Sequence, residues 1–268
     1  MIRQRVLSAV VIAVLLVSAV LWLPAWWSAG VLSVVLAVAA WEWSGFLGAA
    51  RLPQRLVFLA ATVLASALWW QWTASPTGLR QALWVALLFW TVMLLWVFWL
   101  PQQTSRLSVA GAGVLALSLA WVALVRMRVD WPYGQYAVLY TLLIVWLADS
   151  GAYFAGRAWG VRKLAPQVSP GKTWAGFWGG LLACAALGVV GAIFASRPVL
   201  PLVALTMAVG VYSVVGDLLE SLCKRFAGLK DSGTLIPGHG GMLDRFDSLL
   251  AAAPCVMLGF ELLGRGVP

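Results

Sequence analysis

Six of the nine acidic residues in this chain, Asp149, Asp217, Glu220, Asp231, Asp244 and Asp247, fall in two stretches, 149–172 and 217–247. The only histidine, His239, lies in the second stretch, and eight of the eighteen lysines and arginines lie in the two together. Asp217, Glu220 and Lys224 recur at helical spacing, so one face of a helix end presents two carboxylates and a cation. Gly238-His239-Gly240-Gly241 permits turns and close backbone approach. Such a turn returns the following Asp244 toward Asp217.

Paired carboxylates among lysines and arginines suit a hard divalent cation shared with a polyphosphate. Mg2+ prefers oxygen ligands and completes its shell with water and phosphate. On this reading Asp217 and Asp244 are the first metal candidates, with Glu220 and Asp247 beside them. Lys224, Arg225, Lys230 and Arg245 are the phosphate ligands, and Asp231 orients Lys230 or a nucleotide hydroxyl. His239 donates a hydrogen bond to phosphate or backbone. In the first stretch, Asp149 and Tyr153 precede Ser169-Pro170-Gly171-Lys172-Thr173. The last three residues resemble the tail of a P-loop, but position 166 is Pro166 where that motif needs glycine, and no strand pattern precedes it. What remains is a phosphate site of Ser169, Lys172 and Thr173 at the start of a helix, where free N–H groups and the helix dipole favour an anion. Cys184, Cys223 and Cys255 have neither even number nor metal-ligand spacing, which excludes a disulfide framework and a zinc site.

The elements that hold these groups are membrane helices. The chain is 63% hydrophobic and 10% charged, with a mean hydropathy of +0.93; a soluble domain carries about 25% charged residues. Apolar runs long enough to cross ~30 Å of hydrocarbon fall at 6–23, 28–48, 55–73, 81–100, 107–125, 134–148, 173–195, 199–217 and 248–264. The expected fold is therefore all-α and polytopic, a single membrane domain over 1–268 with about nine spans. With a cytoplasmic N-terminus, thirteen lysines and arginines face inward and five outward, which obeys the positive-inside rule. Both chemistry-bearing stretches then open to the cytoplasm, where nucleoside triphosphates are available. The net charge of +9 belongs to topology and anionic headgroups; no soluble region is present to dock nucleic acid. Glu42, near the inner end of the second span, reads as a structural anchor.

Over these residues the chain resembles the phosphatidate cytidylyltransferase (CDP-diacylglycerol synthase) family. From Ser221 to Asp247 it fills every fixed position of that family's S-x-hydrophobic-K-R-x4-K-D-x-[GSA]-x2-hydrophobic-[PG]-x-H-G-G-hydrophobic-x-D-R-hydrophobic-D pattern. The likeness extends to Asp149-x-x-Ala152-Tyr153-x-x-Gly156, to Ser169 through Trp174, and to Trp41-Glu42-Trp43. One departure is Ala175, where the family usually has glutamate. The resemblance implies an inner-membrane enzyme, often a homodimer, that uses Mg2+ and optionally a monovalent cation such as K+. Asp217 and Asp244 correspond to its metal-binding aspartates. Its substrates are CTP and phosphatidate, and its product is CDP-diacylglycerol. A phosphomonoester with a second pKa near ~6 is already largely ionised at neutral pH, so the lipid nucleophile needs no general base. The requirement is to bring two polyanions together in line.

Two other classes compete. A transporter places its charges near mid-membrane, at broken helices in matched halves, whereas these charges gather at one face and no half-repeat is visible. A CDP-alcohol phosphotransferase needs a D-G-x2-A-R-x8-G-x3-D-x3-D pattern, which this chain lacks.

Overall fold

The computed structural model of the chain describes residues 2–48, 51–235 and 240–264, with side chains from Val10 onward. Among the described residues are nine α-helices: α1 (Ile2–Trp22), α2 (Ala25–Phe46), α3 (Leu52–Trp72), α4 (Pro76–Trp99), α5 (Arg106–Asp130), α6 (Gly134–Trp159), α7 (Trp174–Phe194), α8 (Val199–Phe226) and α9 (Leu243–Leu262). Seven, α2 to α8, are long and apolar enough to cross a membrane. Each of the nine apolar runs has become a helix. Local chemistry starts several of them: Ser75 and Ser105 accept N-cap hydrogen bonds from Gly78 and Ser108, and Thr173 accepts one from Gly176.

Three differences from the sequence reading matter. Helix α6 runs eleven residues past its expected end and α8 nine residues past its own. Asp149, Asp217, Glu220 and Lys224 are therefore held on rigid helix ends, not in loops. Hydropathy stops at the first charged residue, but a helix continues while its backbone bonds are made and its polar face has partners. The fold is all-α as expected, but the stretch between α6 and α7 also contains a short antiparallel hairpin, β1 (Lys163–Ala165) and β2 (Ser169–Thr173). Ser169 and Lys172 consequently lie on a strand, and only Thr173 is a helix cap.

Helix α5 is the central post, with 67% of its apolar window buried, while α3 at 17% lies at the periphery. The core forms two stacked clusters. One gathers Trp131, Tyr140, Met257 and Phe260 toward one end of the bundle; the other gathers Trp43, Trp90, Leu117, Leu218 and Leu243 toward the opposite end. Helices α6 and α7 meet through small residues: a Cβ on Gly179 would overlap Ala155, and one on Gly180 would lie 2.7 Å from the Ala148 carbonyl oxygen. Such contacts let backbones approach where packing must hold helices together in lipid. They also set the position of Asp149, midway along this seam, relative to Lys172.

Candidate active site

Asp217, Glu220, Ser221 and Lys224 share one face of the last three turns of α8. Lys224 Nζ donates to Glu220 Oε2 at 2.7 Å and to Asp244 Oδ1 of α9 at 2.6 Å. Lys172 Nζ, from β2, pairs with Asp217 Oδ2 at 2.6 Å, while Ser221 Oγ donates to Asp217 Oδ1 at 3.3 Å. Asp247, one turn beyond Asp244, faces Asp217 and Glu220. Asp149 faces Asp217, Lys172 and Arg245. The helices approach closely here because Gly216 has no side chain: a Cβ would lie 2.5 Å from the Asp247 carbonyl oxygen. The result is a ladder of alternating charge across α6, β2, α8 and α9.

Asp244 also organises the segment before α9. Its Oδ2 accepts from Ser232 N at 2.9 Å, Ser232 Oγ at 2.9 Å and Gly241 N at 2.8 Å. Gly240 has φ +84°, and a side chain there would run into Asp244 and Asp231. Helix α9 has no side-chain cap of its own. The cap comes from α2 instead: Glu42 accepts from Met242 N at 3.0 Å, Leu243 N at 2.7 Å and Ser232 Oγ at 3.1 Å. The anchoring role read for Glu42 from sequence thus has specific partners, two hundred residues away. Nothing in the sequence named them.

Two cavities border the ladder, and a third lies on the far side of the Ser232 segment. Asp149, Tyr153, Arg157, Lys172, Thr173 and Asp217 line the first, of about 490 Å³. Asp149 also lines the second, of about 370 Å³, with Asp244, Arg245 and Asp247. The third, of about 1090 Å³, holds Lys230, Asp231 and Ser232 opposite Glu42 and Arg55. Most sequence-derived candidates therefore gather around one ladder. Ser169 instead pairs with Ala165 in the hairpin, and the exposed Arg225 reaches the Leu229 carbonyl at 3.5 Å. His239 lies outside the described residues. Sequence reasoning did not assign Arg157 or Ser232. Arg157 stands one helical turn from Tyr153 and donates to its hydroxyl at 3.2 Å, a spacing that could have pointed to it.

The electrostatics of this face are unbalanced. Around the ladder five carboxylates, Asp149, Asp217, Glu220, Asp244 and Asp247, meet three cations, Lys172, Lys224 and Arg245. Burial alone would pull the Lys172 ammonium down. The Asp217 carboxylate that takes its hydrogen bond, with Asp247 and Asp149 behind, outweighs burial and holds it above its ordinary value. Lys172 is thus a fixed positive charge at physiological pH. Glu220 is fully buried, and its second oxygen, Oε1, has no hydrogen-bond partner. Five carboxyl groups against three cations, all presenting hard oxygens and including the partnerless Glu220 Oε1, fit a divalent cation such as Mg2+. Among the described residues no three acidic, thiol or imidazole side chains form a closed cage. Mg2+ commonly takes one or two carboxylates and fills its remaining positions with phosphate and water, so an open set is compatible with it.

A charge ladder at the end of a helical bundle, flanked by polar cavities, is matched by what the chain resembles over its full length. It is 38% identical to the phosphatidate cytidylyltransferase of Haemophilus influenzae, covering 95% of this chain and 96% of that protein. It is 37% identical to the protein of the same name from Pseudomonas aeruginosa over the whole of both chains. With that of Bacillus subtilis the identity is 34%, over 61% of this chain and 74% of the other. Residues 3–263 match the Cytidylyltransferase family, and to that family the chain belongs.

Proposed function

We propose that the protein transfers the cytidylyl group of CTP to phosphatidate, forming CDP-diacylglycerol and diphosphate. The observation that carries this reading is the Lys172–Asp217 and Glu220–Lys224–Asp244 ladder at one end of a membrane bundle, in a chain matched end to end by phosphatidate cytidylyltransferases. The lipid phosphate oxygen attacks the α-phosphorus of CTP, and the bond to the β-phosphate oxygen breaks. Lys172, Arg157 and Arg245 offset charge on the two polyanions, which is the largest barrier when both reactants are negative. Lys224 holds Glu220 and Asp244 in register. Asp244 in turn fixes the Ser232 and Gly241 backbone, so the segment after Lys230 keeps its shape.

Mg2+ is the proposed cofactor; Asp217, Asp244, Asp247 and Glu220 are its candidate ligands, of which one or two would hold it together with phosphate and water. Bound there, it would screen the polyphosphate. The proposed location is the inner membrane with the ladder facing the cytoplasm, supported by the positive-inside bias. A homodimer belongs to the proposal on the strength of the family resemblance.

Purified protein given phosphatidate, radiolabelled CTP and Mg2+, with and without K+, should yield a labelled lipid. No labelled lipid across several detergents and metals would overturn the activity. Asp217→Asn and Asp244→Asn should each abolish turnover while folded protein remains in the membrane; near-normal rates in either would remove that residue from the reaction.

A further inference from the structure

A slot runs up the membrane face of α2 and α3, away from the charge ladder. Its upper part is a cavity of about 540 Å³ between α2, α3 and α5. Its lower part is the polar cavity at Arg55 and Lys230. The two meet at Ala37 and Leu59, which line both. From Trp26 to Trp41 the slot follows fifteen residues of helix, roughly 22 Å. That exceeds the ~15 Å belonging to one leaflet of the hydrocarbon core.

The lining suits an alkyl chain. Small residues, Gly30, Ser33, Ala37 and Ala67, leave the space, and Gly30 has nothing within 4 Å of where a Cβ would stand. The hydroxyls are turned away from it. Ser33 and Thr62 donate to the carbonyls of Ala29 and Phe58, Ser66 donates to that of Thr62, and Trp121 Nε1 donates to Ser33 Oγ. Water would find few free partners inside. The slot opens sideways, since Val34 and Val63 line it and are 64% and 58% exposed. Trp26, Trp70 and Trp121 close its far end, with ring centroids 6.2 Å and 5.8 Å apart in sequence.

The mouth suits an anionic headgroup. Arg55 lies over the Trp41 ring at 5.0 Å, and Lys230 lines the same cavity with Thr234 and the Ser232 segment. Two carboxylates also face it. Glu42 is occupied by Ser232, Met242 and Leu243, while Asp231 is pressed against Gly240. Ser232 joins this mouth to the ladder, donating to both Glu42 and Asp244.

We propose that the α2–α3 slot binds one acyl chain of the lipid substrate, with the phosphomonoester headgroup received between Arg55 and Lys230 before it reaches the ladder through the Ser232 segment. This inference rests on the activity proposed above. It adds a binding track, a direction of entry and a source of chain-length preference.

The test fills the slot from within. Ala37→Phe fills the junction, and Gly30→Leu places a side chain in the upper part where a Cβ has nothing within 4 Å. For each, kcat/KM is measured with dioleoyl and dihexanoyl phosphatidate, alongside the lipid-facing control Leu64→Phe. The ratio of long-chain to short-chain kcat/KM should fall at least tenfold in both slot variants and hold in the control. A phosphatidate carrying a diazirine in its acyl chain should label α2 and α3 peptides of the wild-type protein, and dioleoyl phosphatidate should compete it away. An unchanged ratio in both variants, or label confined to other helices, would overturn the slot. Wild-type protein that turns over neither lipid would instead overturn the activity, and the labelling experiment would still decide the slot.

Discussion

Lys172 is the residue whose loss should be felt most directly in the reaction. Lys172→Met leaves Asp217 without its 2.6 Å partner and removes a fixed positive charge beside the cavity of Asp149 and Tyr153. Losing one preorganised charge donor typically costs 10²–10³ in kcat, about 3–4 kcal/mol. We expect a fall of that order in the labelled-CTP assay, with Lys172→Arg retaining more activity than Lys172→Met. Lys224 behaves differently because it is shared by two buried carboxylates. Lys224→Met strands Glu220 in the core, and removing one partner of a buried pair costs about 3–5 kcal/mol. The apparent melting temperature in detergent should drop markedly, and Glu220→Gln in the same chain should restore part of it. No recovery in the double variant would mean that Lys224 stabilises through Asp244 alone. At this scale the sequence was informative: the two charged stretches, 149–172 and 217–247, named both lysines and all five carboxylates. It could not name the pairs, because pairing depends on which helix faces lie opposite one another.

Among the elements, α9 owes its start to α2. The backbone N–H groups of Met242 and Leu243 end on Glu42, and leaving buried donors unpaired costs about 1–3 kcal/mol each. Glu42→Ala should therefore lower thermal stability and also slow turnover, because Asp244 and Asp247 sit on the first turns of the helix that loses its cap. Glu42→Gln, which can still accept one of these bonds, should fall in between. Equal stability for wild type and Glu42→Ala would remove the capping account. The α6–α7 seam gives a second expectation. Gly179→Val must push the helices apart against Ala155 and the Gly151 carbonyl, shifting Asp149 relative to Lys172. It should reduce kcat more than KM for CTP, measured on the fraction that remains folded. Helix existence and order were legible in the apolar runs. The hairpin between α6 and α7 was not, since β1 and β2 span only three and five residues and carry no alternation strong enough to separate from loop.

For the whole molecule, orientation is open to direct chemical test. Thr77 and Gln167 are exposed at opposite ends of the bundle, and the native cysteines are buried or half-buried. A membrane-impermeant maleimide applied to intact cells should label Thr77→Cys and spare Gln167→Cys until the membrane is opened. The reverse pattern would invert the proposed topology and place the ladder away from cytoplasmic CTP. The sequence by itself determined that the chain crosses a membrane, how many helices it forms, which end of the bundle carries the charge and which family motif it bears. Each of these follows from local quantities: hydropathy over a window, lysine and arginine in short connections, and residue order within one segment. Only the tertiary structure decided that Lys172 meets Asp217, that Glu42 caps α9, and that a cavity lies between α2, α3 and α5. Those facts depend on close approach between helices far apart in the chain, set by where a glycine such as Gly216 or Gly179 lets two backbones meet, and no local pattern encodes that.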